Sequence, residues 1–385
     1  MPTWDIRMQF PDPDLTALQM EQGPLVRWMR RWHIDLPLLF CLLLLSGAAF
    51  VILYSASGQS LVVVGRQCMR LVLALGIMVT FAQISPRRFR EFSPALYGVG
   101  VALLAAVLLM GMISKGAQRW LDLGILRFQP SELMKIATPM MVAWFLSHGA
   151  LPPGFRRVLI ALVVIMIPAA LIARQPDLGT AVLVAASGGA VIFLAGIPWH
   201  YLLVMTGLGG ALLPVLWYFM HDYQRNRILT MLNPEADPLG KGYHIIQSKI
   251  AIGSGGIYGK GWTHGTQAQL EFLPEKSTDF IFAVFAEEFG LIGCLILLLI
   301  YLLVLGRCFY IVLEAQDIYS RLLSGALTAT FFVYVFVNIG MVIGILPVVG
   351  VPLPLVSYGG TSMVTLLAGF GILMSIHTHR RRMPV

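Results

Sequence analysis

Along this chain the apolar positions rarely alternate with polar ones; for most of its length they run together. Runs long enough to cross a bilayer, for which about 20 apolar residues suffice, occupy about 36–54, 68–84, 94–113, 131–147, 158–174, 177–196 and 201–220. After a polar gap at 221–278, three more follow at about 280–306, 321–346 and 360–377. This pattern predicts ten transmembrane helices with one large extracytoplasmic loop between helices 7 and 8. The first run begins only at Leu36 and carries no small-residue cleavage site, so it reads as an uncleaved helix behind a polar segment, 1–35. Inside the gap, Tyr243–Ile252 (YHIIQSKIAI) returns to helical spacing and predicts an amphipathic helix along the membrane surface.

Composition narrows the class. Of 385 residues, 57% are hydrophobic and 12% charged, against about 25% charged in soluble domains. A soluble core, a coiled coil and a disordered chain are excluded, leaving an all-α polytopic membrane protein. The net charge of +8 suits nucleic acid on its own, but in a membrane protein basic residues mainly set orientation. With the N-terminus cytoplasmic, Arg7, Arg27, Arg30, Arg31, Arg87, Arg88, Arg90, Arg156, Arg157, Arg307, Arg321, Arg380, Arg381 and Arg382 all fall on the cytoplasmic side, fourteen of the 27 basic residues. No nucleic-acid partner is needed to explain the charge. The membrane domain is then 36–380, with a cytoplasmic tail at 381–385. One short loop, 114–130, breaks the rule: Lys115, Arg119 and Arg127 face outward. Cations placed against the orientation rule point to an anionic ligand.

Candidate chemistry sits at the outer helix ends. Charges in or at the rim of a bilayer are costly and usually paired or functional. In LPEKSTDFIF, Asp279 opens the run at 280–306; it is either a helix cap or a general base at the mouth of a membrane cavity. In GAQRWLDLGILRFQPSELMK, Trp120 carries an interfacial ring, Ser131 is the expected cap, and Glu132 and Lys135 are spaced to pair on one helical face. Asp177, in RQPDLGT, reaches Lys135 if the fourth and sixth helices pack together, giving an intramembrane polar cluster Glu132–Lys135–Asp177. Arg225, Arg227, Lys241 and Lys249 make the long loop basic. Its Gly253–Gly261 run lacks the spacing of a phosphate loop. GVPLPLVSYGGTSM breaks regular structure before the last helix, and at membrane depth such backbone must be buried in protein or line a cavity; Ser357 and Thr361 offer hydroxyls there. The four cysteines show no CxxC spacing and His377/His379 stand without further ligands, so no metal site follows.

Together these segments resemble the shape, elongation, division and sporulation family, the RodA/FtsW/SpoVE proteins. The resemblance covers about 36–380 and rests on GAQRWLDLGILRFQPSELMK, RQPDLGT, NPEADPLGKGYHIIQSKIAIGSGG, FLPEKSTDFIFAVFAEEFG and GVPLPLVSYGGTSM. Loop sequence GTQAQLEFLPE and the short tail are closer to the RodA branch. The resemblance implies a ten-helix protein of the bacterial inner membrane that polymerises lipid II into peptidoglycan for elongation and rod shape, beside a class B penicillin-binding protein. It places the essential aspartate on Asp279, the family tryptophan on Trp120, and the paired charges on Glu132, Lys135 and Asp177. Outward Lys115, Arg119, Arg225 and Arg227, with Trp120, Ser357 and Thr361, are then expected to bind substrate, and the active site to face the periplasm. No cofactor is required; a divalent cation (Mg2+ or Mn2+) bridging the pyrophosphate suits the chemistry, though the sequence shows no dedicated cage. The rival function is a lipid II flippase, which needs charges near the bilayer midplane, where this chain has few.

Overall fold

Backbone in hydrocarbon has no water to bond to, so long apolar runs close their own hydrogen bonds as helices. The computed structural model describes residues 32–114, 117–122, 127–219, 222–236, 241–270, 272–273 and 275–379; most of 1–35, Lys115 and the tail lie outside them. The long helices are α1 (Leu36–Ala56), α2 (Leu61–Gln83), α3 (Pro86–Met110), α4 (Pro130–Ser147), α5 (Phe155–Arg174), α6 (Leu178–Leu194) and α7 (Trp199–Phe219). Two helices of the gap follow, α8 (Asp222–Leu232) and α9 (Lys241–Gly255), then a single turn, α10 (Thr266–Gln269). The chain ends with α11 (Ile281–Leu313), α12 (Ile318–Ile343) and α13 (Thr361–Thr378). Among the described residues, α1, α2, α3, α5, α11, α12 and α13 are long and apolar enough to cross a membrane, and α6 is a shorter apolar helix.

Among the described residues the fold is helical apart from one small antiparallel sheet in the loop after α3. It comprises β1 (Met112–Ser114), β2 (Ala117–Asp122) and β3 (Arg127–Phe128), with Met112 opposite Trp120 and Leu121 opposite Phe128. Strands this short leave no legible period-2 signal, which is why the hydrophobic pattern shows only a loop.

α4 is the most enclosed helix, touching α3, α5, α6, α12 and α13. Its buried positions include Ser131, Glu132, Lys135 and Thr138, polar groups that only a helix shielded from lipid can carry. α13 lies along α2, and α6 packs on α4 and α12. Away from the candidate site, Asp35 caps α1 through Leu38 N (2.9 Å) and is gripped by Arg307 of α11 (2.6 Å) and His377 of α13 (2.8 Å). That cluster clips three helices together and accounts for His377.

The expected amphipathic helix exists as α9, but its stripe meets protein. Gly242, Ile245, Ser248, Ala251 and Gly255 are buried, the helix packs on α11 and α12, and Ser248 Oγ donates to Val342 O (2.8 Å). Beyond it the glycine-rich run packs backbone against backbone on α11, which is broken at Gly290 (φ 62°, ψ −162°). The groups freed by the break are paired: Lys260 N donates to Glu287 O (3.0 Å), Gly261 N to Glu288 O (3.0 Å), and Leu291 N to Gly256 O (3.0 Å). A Cβ on Gly259 would stand 2.1 Å from Glu288 O, so the glycines serve close approach, not phosphate binding.

Candidate active site

Residues 275–280 form turns ahead of α11. The cap position of α11 belongs to Phe280, which makes no side-chain cap bond. The turn is instead fixed through its backbone. Three successive carbonyls each accept a bond from elsewhere: Ser277 O from Tyr358 N (2.8 Å), Thr278 O from Ser357 Oγ (2.5 Å), and Asp279 O from Asn338 Nδ2 (3.0 Å). Ser357 also accepts from Leu353 N (2.8 Å) and is buried. Its hydroxyl is therefore a clamp, not the substrate contact the sequence suggests. The irregular segment 350–360 has its own carbonyls met by α2, α11 and α12: Gln67 Nε2 donates to Ser357 O (3.2 Å), Tyr301 to Pro354 O (2.7 Å), and Asn338 to Val351 O (2.7 Å). This is how broken backbone survives at membrane depth. Arg70 of α2 lies 4.4 Å over the Tyr358 ring.

The Asp279 side chain lines a cavity of about 210 Å³. Arg227 of α8, His244 of α9 and Glu275 share its wall, with Phe280 and Val348 as apolar sides. A carboxylate beside a guanidinium, with one open side, can take a proton from a hydroxyl while the cation faces developing negative charge. His244 is half-buried and stacks on Phe280 (5.7 Å between centroids, 15° between planes). Burial pushes its imidazole below the ordinary 6.5, while Glu275 pushes back. Its Nδ1 is buried with no hydrogen-bond partner.

The other expected site residues divide. Arg225 donates to Trp217 O (2.9 Å) and Tyr218 O (2.6 Å) near the end of α7, tying that helix end. Arg119 donates to Pro176 O (2.5 Å) and stands 3.8 Å from Asp177. Trp120 is half-buried in β2, and Thr361 opens α13. Lys115 and the Lys241 side chain lie outside the described residues.

Glu132 and Lys135 do pair, at 2.7 Å, with side chains 10% and 5% exposed, and the ammonium lies 5.1 Å over Tyr334 of α12. Asp177 does not join them. It caps α6 through Thr180 N (3.3 Å), accepts from Gln129 Nε2 (3.4 Å) and faces Arg119. The three-charge cluster is thus two separate pairs, because Lys135 lies a turn deeper in α4 and turns toward α12. Ser131 is not the cap of α4; Gln129 holds that position, without a side-chain cap bond. Both pairs lie at the same end of the bundle as Asp279. Gly179 of α6 abuts Val349, where a Cβ would stand 2.7 Å from its carbonyl oxygen, and Gly350 faces the Asp279 carboxylate.

Sequence reasoning missed His244, Asn338 and the buried pair Glu287 and Glu288. Glu287 is held by Lys260 (2.7 Å) and Thr266 (3.0 Å), and Glu288 by Ser55. A lone amide in the apolar run of α12 and two acids inside that of α11 were visible signals, since hydrocarbon tolerates neither without a purpose.

Comparison with known proteins agrees with this architecture. The family model of FtsW/RodA/SpoVE cell cycle proteins matches residues 28–382, and the chain belongs to that family. It is 57% identical to the peptidoglycan glycosyltransferase MrdB of Escherichia coli K12, over 91% of this chain and 95% of that protein. It is 35% identical to a probable peptidoglycan glycosyltransferase FtsW of Geobacter metallireducens, over 91% and 96%. Among solved structures, it resembles a chain from a peptidoglycan synthase complex described as coordinating polymerization and crosslinking (TM-score 0.79, 35% identity, 90% of this chain and 98% of that one). The rod shape determining protein RodA of Thermus thermophilus gives a TM-score of 0.67 at 31% identity, over 89% and 96%.

Proposed function

We propose that this peptidoglycan glycosyltransferase polymerises lipid II in the cavity beside Asp279, with that carboxylate as general base. The acceptor sugar hydroxyl attacks the anomeric carbon of the donor. Asp279 takes the hydroxyl proton as the new C–O bond forms, and the bond to the lipid pyrophosphate breaks with its electrons passing to the departing phosphate oxygen. One displacement inverts the anomeric centre, so no second carboxylate is needed as nucleophile. Arg227, which lines the same cavity as Asp279, balances the charge of the leaving pyrophosphate. Asp279 and Glu275 are the carboxylates of the cavity. Among the described residues no group of three or more His, Cys, Asp or Glu gathers into an all-protein metal cage. A divalent ion held by one or two carboxylates and the substrate pyrophosphate would take Asp279 or Glu275 as its protein ligands.

The wider reading has ten membrane crossings within 36–380, both termini in the cytoplasm, and the segment 221–278 with the Asp279 cavity on the periplasmic side. A class B penicillin-binding protein crosslinks the strands made here; the likeness to a chain of a synthase complex supports that partnership. A flippase is disfavoured because Glu132 and Lys135, charges set into the bundle, neutralise each other at 2.7 Å.

One observation carries the assignment: the Asp279 carboxylate lines a cavity with Arg227 while its turn is clamped through backbone carbonyls. Asp279→Asn keeps the size of the side chain and removes its basicity. Purified with its transpeptidase and given labelled lipid II, the variant is expected to assemble normally and lose about 10²–10⁴ of its rate. Glycan strands at wild-type length and yield on a gel would sink the assignment.

A further inference from the structure

We propose that Asn338 is a positioning residue for glycosyl transfer, its carboxamide locking the turn that carries Asp279 onto the broken segment before α13. The inference rests on Asp279 acting as the base. Asn338 is fully buried in α12 and is the one amide in that helix. Its Nδ2 has two hydrogens, and both are used: one on Asp279 O (3.0 Å), one on Val351 O (2.7 Å). Three segments distant in sequence thus meet on a single nitrogen.

The other half of the amide makes the choice informative. Oδ1 is buried and has no hydrogen-bond partner, and an unmet buried polar atom costs free energy. An aliphatic side chain would fill an apolar helix more cheaply. What an aliphatic side chain cannot do is donate, and without a donor the carbonyl of Asp279 and the buried carbonyl of Val351 in the facing segment both lose this partner. Ser277 and Thr278 are held from 357–358, so Asn338 supplies the last of the three clamps, at the residue whose side chain reacts. Asn338 does not line the cavity, so it acts through Asp279. A reacting group misplaced by about 1 Å can lose on the order of 10²-fold in rate.

The test uses the full chain in complex with its transpeptidase and measures kcat, KM and thermal midpoint for Asn338→Leu and Asn338→Asp, with Asp279→Asn alongside. The titratable groups around position 338 are Asp279 itself and, one turn back along α12, Tyr334 with the Lys135 ammonium over its ring. Asn338→Leu should lower kcat by about 10- to 100-fold with KM changed little. Asn338→Asp, ionised, turns negative charge on two carbonyl oxygens; protonated, it donates one bond. Its activity relative to wild type should therefore rise as pH falls, whereas the Leu variant's ratio stays flat. A packing role predicts loss of folded protein with normal kcat in what remains, and no pH-dependent ratio; either result overturns the proposal. If Asn338→Leu does not fold, the pH series on Asn338→Asp decides alone. Activity in Asp279→Asn would instead overturn the base assignment, and an inactive Asp279→Asn beside normal Asn338 variants would overturn this inference only.

Discussion

Asp279 and Asp177 are each an acid just before an apolar helix, Asp177 directly after Pro176 and Asp279 five residues after Pro274, yet the fold uses them differently. Asp177 spends its oxygens locally, on Thr180 N, Gln129 and Arg119. Asp279 has its turn fixed by Ser357, Tyr358 and Asn338 through main-chain carbonyls, and its side chain lines a cavity with Arg227. A third acid of the same kind, Glu132, is neutralised in place by Lys135. The two aspartates differ in what fixes the backbone around them: the side chain itself at Asp177, and donors from distant segments to main-chain carbonyls at Asp279.

Substitutions that interchange these roles should separate them. The largest contrast is Asp279→Asn against Asp177→Asn. Asparagine caps helices about as well as aspartate, so the second change should leave polymerisation within a few-fold while the first removes it; comparable losses in both would dissolve the distinction.

Next come the paired charges of α4. Lys135→Met or Glu132→Leu alone leaves a buried charge unpaired, a loss of about 3–5 kcal/mol in stability. The double variant should be less damaged than either single one in a thermal-midpoint comparison in detergent, and additive losses would show that the two do not interact. Smaller again is the difference between the neighbouring arginines. Arg227→Ala should reduce lipid II turnover by about 10-fold, the scale of one hydrogen bond to a charged group, with the fold intact. Arg225→Ala frees the end of α7 and should act on stability more than on turnover. Equal kinetic effects would place both side chains on substrate.

The smallest effect concerns His244. Burial lowers its pKa below 6.5, so in the window under that value the unfolded chain binds more protons than the folded one. Stability therefore falls as pH drops below about 6.5 and is greatest above it. His33, also lowered by burial and by His379, adds to the same slope. His244→Gln should flatten part of the dependence between pH 6.5 and 5, read as thermal midpoint against pH. An unchanged slope would assign all of it to other groups.

Much of this was legible in one dimension. Twenty-residue apolar runs with charged residues at their ends are local features, and a bilayer imposes the same requirement on each helix separately. The membrane class and most helix positions came from the apolar runs, and the choice of Asp279 from its match to the family motif. Which acid lines the cavity, which arginine shares it, and why the glycines of 255–261 and the amide of Asn338 are there were decided by contacts between segments tens to hundreds of residues apart. Gly259 answers to the carbonyl of Glu288, Ser357 to that of Thr278, and Asn338 to those of Asp279 and Val351. Hydrogen bonds and close approaches act over about 3 Å in space and take no account of separation along the chain, so only the folded arrangement assigns them.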